Sequence, residues 1–168
     1  MRGTDNLPAV TYTPIGVIHS GHRVPDETPI QPVFAQNCQG RIDLLPEYIE
    51  GLKDLEGFSH LILIYHFHRA GASRMIVDPF MDDVSRGVFA TRHPCRPNPI
   101  GFSVVRLTGI EGATLHLAGV DILDGTPLLD IKPYTAKFDH IACIRSGWQD
   151  EVDDETARKR GKRRYKGS

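Results

Sequence analysis

Six short runs, at residues 15–20, 40–44, 59–68, 87–91, 102–107 and 114–120, are β-branched or alternate apolar with polar, and each is bounded by Gly, Pro or Asp. Helix signals are scarce. The clearest is Pro46 to Glu50, with Pro at a first-turn position and Gly51 just beyond, which predicts one or two turns. Many short strands with little helix fold as a barrel or a sandwich rather than a doubly wound sheet, so the expectation is a mainly β (α+β) domain with one or two short helices. No G-x-G-x-x-G follows a strand and no G-x-x-x-x-G-K-[ST] occurs, which removes the Rossmann fold and the P-loop as routes to a nucleotide.

The chain has 168 residues, 40% hydrophobic and 24% charged, enough for one domain and too little for two. Its longest apolar run, residues 61–65, is far short of a bilayer span, and residues 1–6 lack the apolar core of a signal peptide. A cytoplasmic protein with no membrane partner is expected. Three cysteines, Cys38, Cys95 and Cys143, are odd in number and show no C-x-x-C spacing, so they read as reduced thiols rather than as disulfides or zinc ligands. The net charge of −1 conceals a split. Residues 158–166 hold seven basic side chains and residues 150–155 hold five acidic ones; removing them from totals of 20 and 21 leaves a body of 13 and 16, net −3. Any general attraction to phosphates therefore lies in the tail, expected to be disordered from residue 150 to 168.

Between residues 87 and 101, Pro94, Pro97 and Pro99 fall within six residues, flanked by Arg92 and Arg96 and enclosing Asn98. Each proline fixes its own φ and pushes its predecessor out of the α region, so the backbone path is largely predetermined. Polar groups held on such a scaffold have already lost the freedom that ligand binding would otherwise cost them. A rigid surface connection is the other reading of the same prolines. His60, His66 and His68 share one parity over residues 59–68. His60 would lie roughly 20 Å from His66 along an extended strand, so one metal site using all three is not expected, and histidines hydrogen-bonding at a barrel layer fit better. The segment 120–134 carries Asp121, Asp124 and a Gly turn; its carboxylates suit ribose hydroxyls, or serve only the N–H groups of the turn.

Five stretches taken together, PIGVIHS at 14–20, LEGFSH at 55–60, GVFATR at 87–92, RPNPIG at 96–101 and DGTPLLDIKPY at 124–134, resemble the TsaA/TrmO-like family of S-adenosylmethionine-binding proteins. The similarity runs from about Tyr12 to Phe138. It implies a small closed β-barrel over residues 12–149, preceded by an extension at 1–11. It also implies a homodimer and methyl transfer from S-adenosyl-L-methionine without a Rossmann fold or a metal. The activity it implies is the best known in that family, N6-methylation of threonylcarbamoyladenosine beside the anticodon of tRNA. By resemblance, cofactor contacts fall on Pro32, Val33, Phe34, His68, Arg69, Arg92, Phe102, Asp121, Ile122, Leu123 and Asp124. Asn98 and Arg96 are the candidate catalytic pair, an amide carbonyl for the acceptor N–H and a guanidinium for its carboxylate. Lys132 and Tyr134 are candidates for substrate contact. A module that binds S-adenosylmethionine without turnover, or methylates a small molecule, is the competing class.

Overall fold

The computed structural model describes residues 8–161 apart from 26, 27 and 36. Six strands close into an antiparallel barrel: β1 (Gly16–Ser20), β2 (Gln39–Leu44), β3 (His60–His66), β6 (Ile100–Glu111), β7 (Thr114–Ala118) and β8 (Thr126–Pro133). Around the wall the order is β1-β2-β7-β6-β3-β8, and β8 returns to pair with β1. The short pair β4 (Ile76–Val77) and β5 (Arg86–Gly87) forms a separate ribbon. Closure leaves the barrel no free edge. Alternation puts one side chain in two inside, so Ile18, Ile42, Leu61, Leu63, Leu115 and Leu128 are fully buried and fill the barrel with branched aliphatic groups. Among the described residues no helix is long and apolar enough to cross a membrane.

Three local expectations are corrected, each for a physical reason. The third run stops at His66, because His66 faces Ile100, the first residue of β6, and Tyr65 already faces Leu128 near the start of β8. Beyond it one further bond, from the Phe67 N–H to the Pro99 carbonyl at 2.7 Å, ends the pairing, and the His68 N–H closes a tight turn onto the His66 carbonyl at 2.8 Å. His60 and His66 therefore sit on the outer face of β3, while His68 has left the strand. The run at 87–91 contributes only Gly87 to a strand; Val88–Ala90 is a 3₁₀ turn, whose Val88 carbonyl accepts both the N–H and the hydroxyl of Thr91. The segment read for its turn and carboxylates contains β8, whose Pro127 and Pro133 lie at its ends, where a missing N–H costs least. The segment expected to be disordered from 150 holds a 3₁₀ turn, Gly147–Glu151, and a helix, Asp154–Lys159; residues 162–168 lie outside the described residues.

Candidate functional site

In an antiparallel barrel the C-terminal ends of β1, β3 and β7 and the N-terminal ends of β2, β6 and β8 emerge at the same mouth. Two clefts open there, on either side of Tyr65 and Phe67, whose rings meet edge to face with centroids 5.4 Å apart. The larger, about 530 Å³, is walled by Gln31, Arg92, Arg96, Phe102 and Asp121 among others. Its neighbour, about 370 Å³, is walled by His68, Arg69, Pro94, Ile122, Leu123 and Thr126. Gly101 makes the partition possible: it lies under the Tyr65 and Phe67 rings, and a Cβ at this position would overlap both.

The floor of the larger cleft is a buried polar chain. Ser103 donates its hydroxyl proton to Asp121 Oδ1 at 2.6 Å. That proton being spent, the Tyr65 hydroxyl 3.0 Å from Ser103 Oγ is the donor in its contact. All three residues are at most 3% exposed. A carboxylate in such a place is held by hydrogen bonds, and the short 2.6 Å contact is of the charge-assisted kind. Tyr65 and Ser103 were missed in the sequence. Their signal is a polar atom at an inward-parity position of an otherwise aliphatic strand, visible only once β3 and β6 are known to be neighbours.

Arg92 stands at the rim. Its Nη1 donates to Gln31 Oε1 at 2.7 Å and its guanidinium lies 4.8 Å from the centroid of the Phe102 ring. The contact to Gln31 is with a neutral amide, so it leaves the positive charge of Arg92 uncompensated. Arg96, by contrast, spends Nη1 on the carbonyls of Thr91 and His93, at 3.0 and 3.3 Å, and braces the proline-rich loop. Asn98 is exposed on that loop, where its main-chain carbonyl accepts the N–H of Ile100; its side chain forms no part of either cleft wall.

His68 Nδ1 lies 3.3 Å from Thr126 Oγ1, and Thr126 already donates its hydroxyl proton to the Leu123 carbonyl at 2.6 Å. The tautomer this assigns carries its proton on Nδ1 and leaves the Nε2 lone pair available. Burial, then the charge of Arg69 and then His66, lower the titration of His68 below the usual histidine range, so the imidazole is neutral at pH 7.

The remaining candidates lie elsewhere. Pro32–Phe34 forms a 3₁₀ turn beside the cleft-lining Ile30 and Gln31, but Val33 points to solvent and the Phe34 ring packs against Gly161. Asp124 takes the Ser20 N–H at 3.1 Å and faces His19 Nδ1 at 3.2 Å. Its burial opposes ionisation, yet these two contacts outweigh it and hold the carboxyl below its usual range. Asp124 is thus a turn residue that ties β1 to the start of β8, and it lines neither cleft. Lys132 and Tyr134 are at the opposite mouth, Lys132 paired with Asp130 at 2.7 Å and Tyr134 edge-on to His60.

A closed antiparallel barrel with paired clefts at one mouth, one carrying a buried carboxylate and a rim cation, defines a small-molecule-binding β-barrel domain with no nucleotide-binding helix turn. Residues 17–140 match the family described as the tRNA-methyltransferase O N-terminal domain. A probable S-adenosyl-L-methionine-binding protein of Pyrococcus abyssi is 55% identical over 139 residues, covering 83% of this chain and 76% of that one. The human tRNA (adenine(37)-N6)-methyltransferase is 37% identical over 135 residues, covering 75% of this chain but 30% of its own length. The crystal structure of TrmO from Pseudomonas aeruginosa superposes with a TM-score of 0.71 at 42% identity, covering 84% of this chain and 63% of that one. The chain belongs to the tRNA-methyltransferase O N-terminal domain family.

Proposed function

We propose that this chain binds S-adenosylmethionine in the paired clefts and transfers its methyl group to N6 of an adenosine in tRNA, the threonylcarbamoyl-modified one beside the anticodon, as a cytoplasmic homodimer. The observation that carries the reading is the convergence at one mouth of residues scattered over the sequence: Arg92, Phe102 and Asp121 on one cleft, with His68, Arg69, Ile122 and Leu123 on the other. The donor set fits such a cofactor. Asp121, on a floor of low dielectric, suits an ammonium group, and Phe102 and Tyr65 offer aromatic surface to a purine or a sulfonium. Bound there, the cofactor supplies a methyl group made electrophilic by its positive sulfur.

The chain itself contributes position and proton control. Methyl transfer is an in-line displacement, so holding the acceptor nitrogen opposite the leaving sulfur is the main service a protein can render. The rigid loop carrying Arg92 and Arg96 is suited to it, and the uncompensated charge of Arg92 suits a carboxylate on the acceptor. A carbamoyl-substituted nitrogen must shed its proton as the new bond forms. The Nε2 of neutral His68 can take it, while the Asn98 amide carbonyl, exposed on the proline-rich loop, can accept a hydrogen bond from that N–H but cannot remove the proton. The test is incubation of the full chain with S-adenosylmethionine and total tRNA, followed by mass spectrometry of the nucleosides. Formation of S-adenosylhomocysteine with a methylated adenosine is expected. Cofactor binding with no turnover on any tRNA would leave only a binding module.

A further inference from the structure

Residues 147–161 lie beyond the family-matched stretch and are stitched across the rim of the active mouth. The Trp148 indole N–H donates to the Ala90 carbonyl at 2.8 Å. Arg160 grips Asp83 through both terminal nitrogens, at 3.1 and 2.8 Å. The Gly161 carbonyl accepts the N–H of Ile30 at 2.9 Å. These contacts build a third depression, about 440 Å³, between Phe80 and Trp148, which meets the larger cleft at Gln31 and Arg92.

Phe80 is fixed in its plane by stacking on His93, with centroids 5.3 Å apart and planes 14° apart. Trp148 is fixed by its tether. A groove with two oriented aromatic walls and a guanidinium at its inner end suits a flat heteroaromatic ring bearing an anionic substituent. Among the described residues no carboxylate lines it, so it offers an ammonium or a sulfonium no counter-charge, whereas the larger cleft has Asp121. Because Arg92 also walls that cleft, a ring held here presents its substituent at the border of the two spaces.

We propose that the groove between Phe80 and Trp148 is the acceptor-base subsite, taking a purine whose N6 substituent carries a carboxylate toward Arg92. This rests on the methyltransferase reading above. Trp148 is the single tryptophan of the chain, so its emission reports on this groove alone. The experiment titrates the full chain separately with N6-threonylcarbamoyladenosine, adenosine, cytidine and S-adenosylmethionine, following tryptophan emission and calorimetric heat. The modified nucleoside should quench saturably, adenosine about tenfold more weakly and cytidine not at all. Phe80→Ala should weaken nucleoside affinity about tenfold, the size of one lost base stack, and leave S-adenosylmethionine affinity within about twofold.

Nucleoside binding without a change in emission would overturn the proposal, as would no nucleoside binding at all. Quenching by S-adenosylmethionine alone, in competition with the nucleoside, would also overturn it by giving the groove to the cofactor. Should Phe80→Ala not fold, the wild-type titrations still decide. Quenching by the modified nucleoside in a protein that methylates no RNA would sustain the groove and sink the methyltransferase reading. RNA methylation indifferent to Phe80→Ala would do the reverse.

Discussion

The two mouths of this barrel are made by the same strands and differ in what lies between them. At the closed mouth, β6 turns into β7 through Gly112 at φ +59°, and short 3₁₀ turns, Pro46–Leu52 and Leu55–Gly57, fill the approach to β3. Side chains there satisfy one another: Lys132 takes Asp130, His60 takes Ser59, and Tyr134 meets the His60 ring edge-on. At the open mouth long connections arrive after β1 and β3 and before β6. They bring an arginine bonded to a neutral amide and a neutral imidazole with one nitrogen available to shared clefts, to which the β7–β8 connection adds the buried carboxylate of Asp121. A closed sheet fixes where loops begin, and the loops decide which end can hold a ligand.

Changes at the open mouth should therefore dominate, and Asp121→Ala most of all. It removes the carboxylate from the cleft and leaves the Ser103 hydroxyl buried without its acceptor. A stability loss of about 1–3 kcal/mol is expected, or a fall of about 2–12 °C in Tm at this chain length. Cofactor affinity should fall more steeply than in any other variant. Calorimetry beside thermal melts would separate the two effects; retained affinity in a folded Asp121→Ala protein would break the assignment of the cleft floor to the ligand. Arg92→Ala comes next. Its side chain is exposed and, among the described residues, hydrogen-bonds to Gln31 alone, so stability should barely move, while ligand affinity should drop about tenfold or more. An unchanged Arg92→Ala protein would reduce the rim cation to a brace for Gln31.

How much of this was legible in the chain follows from the same contrast. Strand periodicity gave β1, β2, β3, β6 and β7 because each alternates against an aliphatic interior. It failed for β8, whose prolines sit at strand ends that only pairing can reveal. Arg92 and Phe102 were legible from the proline-rich segment and the resemblance, since both belong to the loop and strand that the prolines join. Tyr65, Ser103 and Gly101 were not. Their roles depend on β3 lying beside β6, a neighbour relation between residues about forty apart that no local pattern encodes. Lys132 and Tyr134 show the converse: a family motif places them beside Asp124 in sequence, and eight residues of strand carry them to the other mouth, away from the clefts.

A smaller effect tests the electrostatics of the open mouth. His68 titrates below the ordinary histidine value in the folded chain, so between its folded and unfolded values the unfolded chain binds more protons. Its contribution is undiminished above about pH 6.5, and stability declines as the pH falls through that value toward the folded one. Acidification also puts a cation beside Arg69, which should weaken binding of a positively charged cofactor. Melts and calorimetry at about pH 7.5 and about pH 5.5, on either side of the ordinary value, should show losses that shrink in His68→Asn. A His68→Asn protein with the full wild-type pH slope would move that slope to other histidines.

The smallest effect is expected from Lys132→Ala. The Lys132 to Asp130 pair is 2.7 Å long, but its side chains are 57% and 44% exposed, and ion pairs of that kind contribute about 0–1 kcal/mol. Melting temperature should shift by at most about 4 °C, and cofactor affinity should not change, because Lys132 pairs with Ile62 at the far end of β3 while the clefts begin at Tyr65. The variant is informative because it bears on what the closed mouth does in a protein whose proposed acceptor is a large RNA. If Lys132→Ala keeps cofactor affinity and turnover but raises the apparent KM for tRNA and flattens its salt dependence, then the far end touches phosphate and the division between mouths holds for the cofactor only. If all three are unchanged, the closed mouth is packing and solvation, and the recognition of the acceptor lies wholly on the side of Arg92.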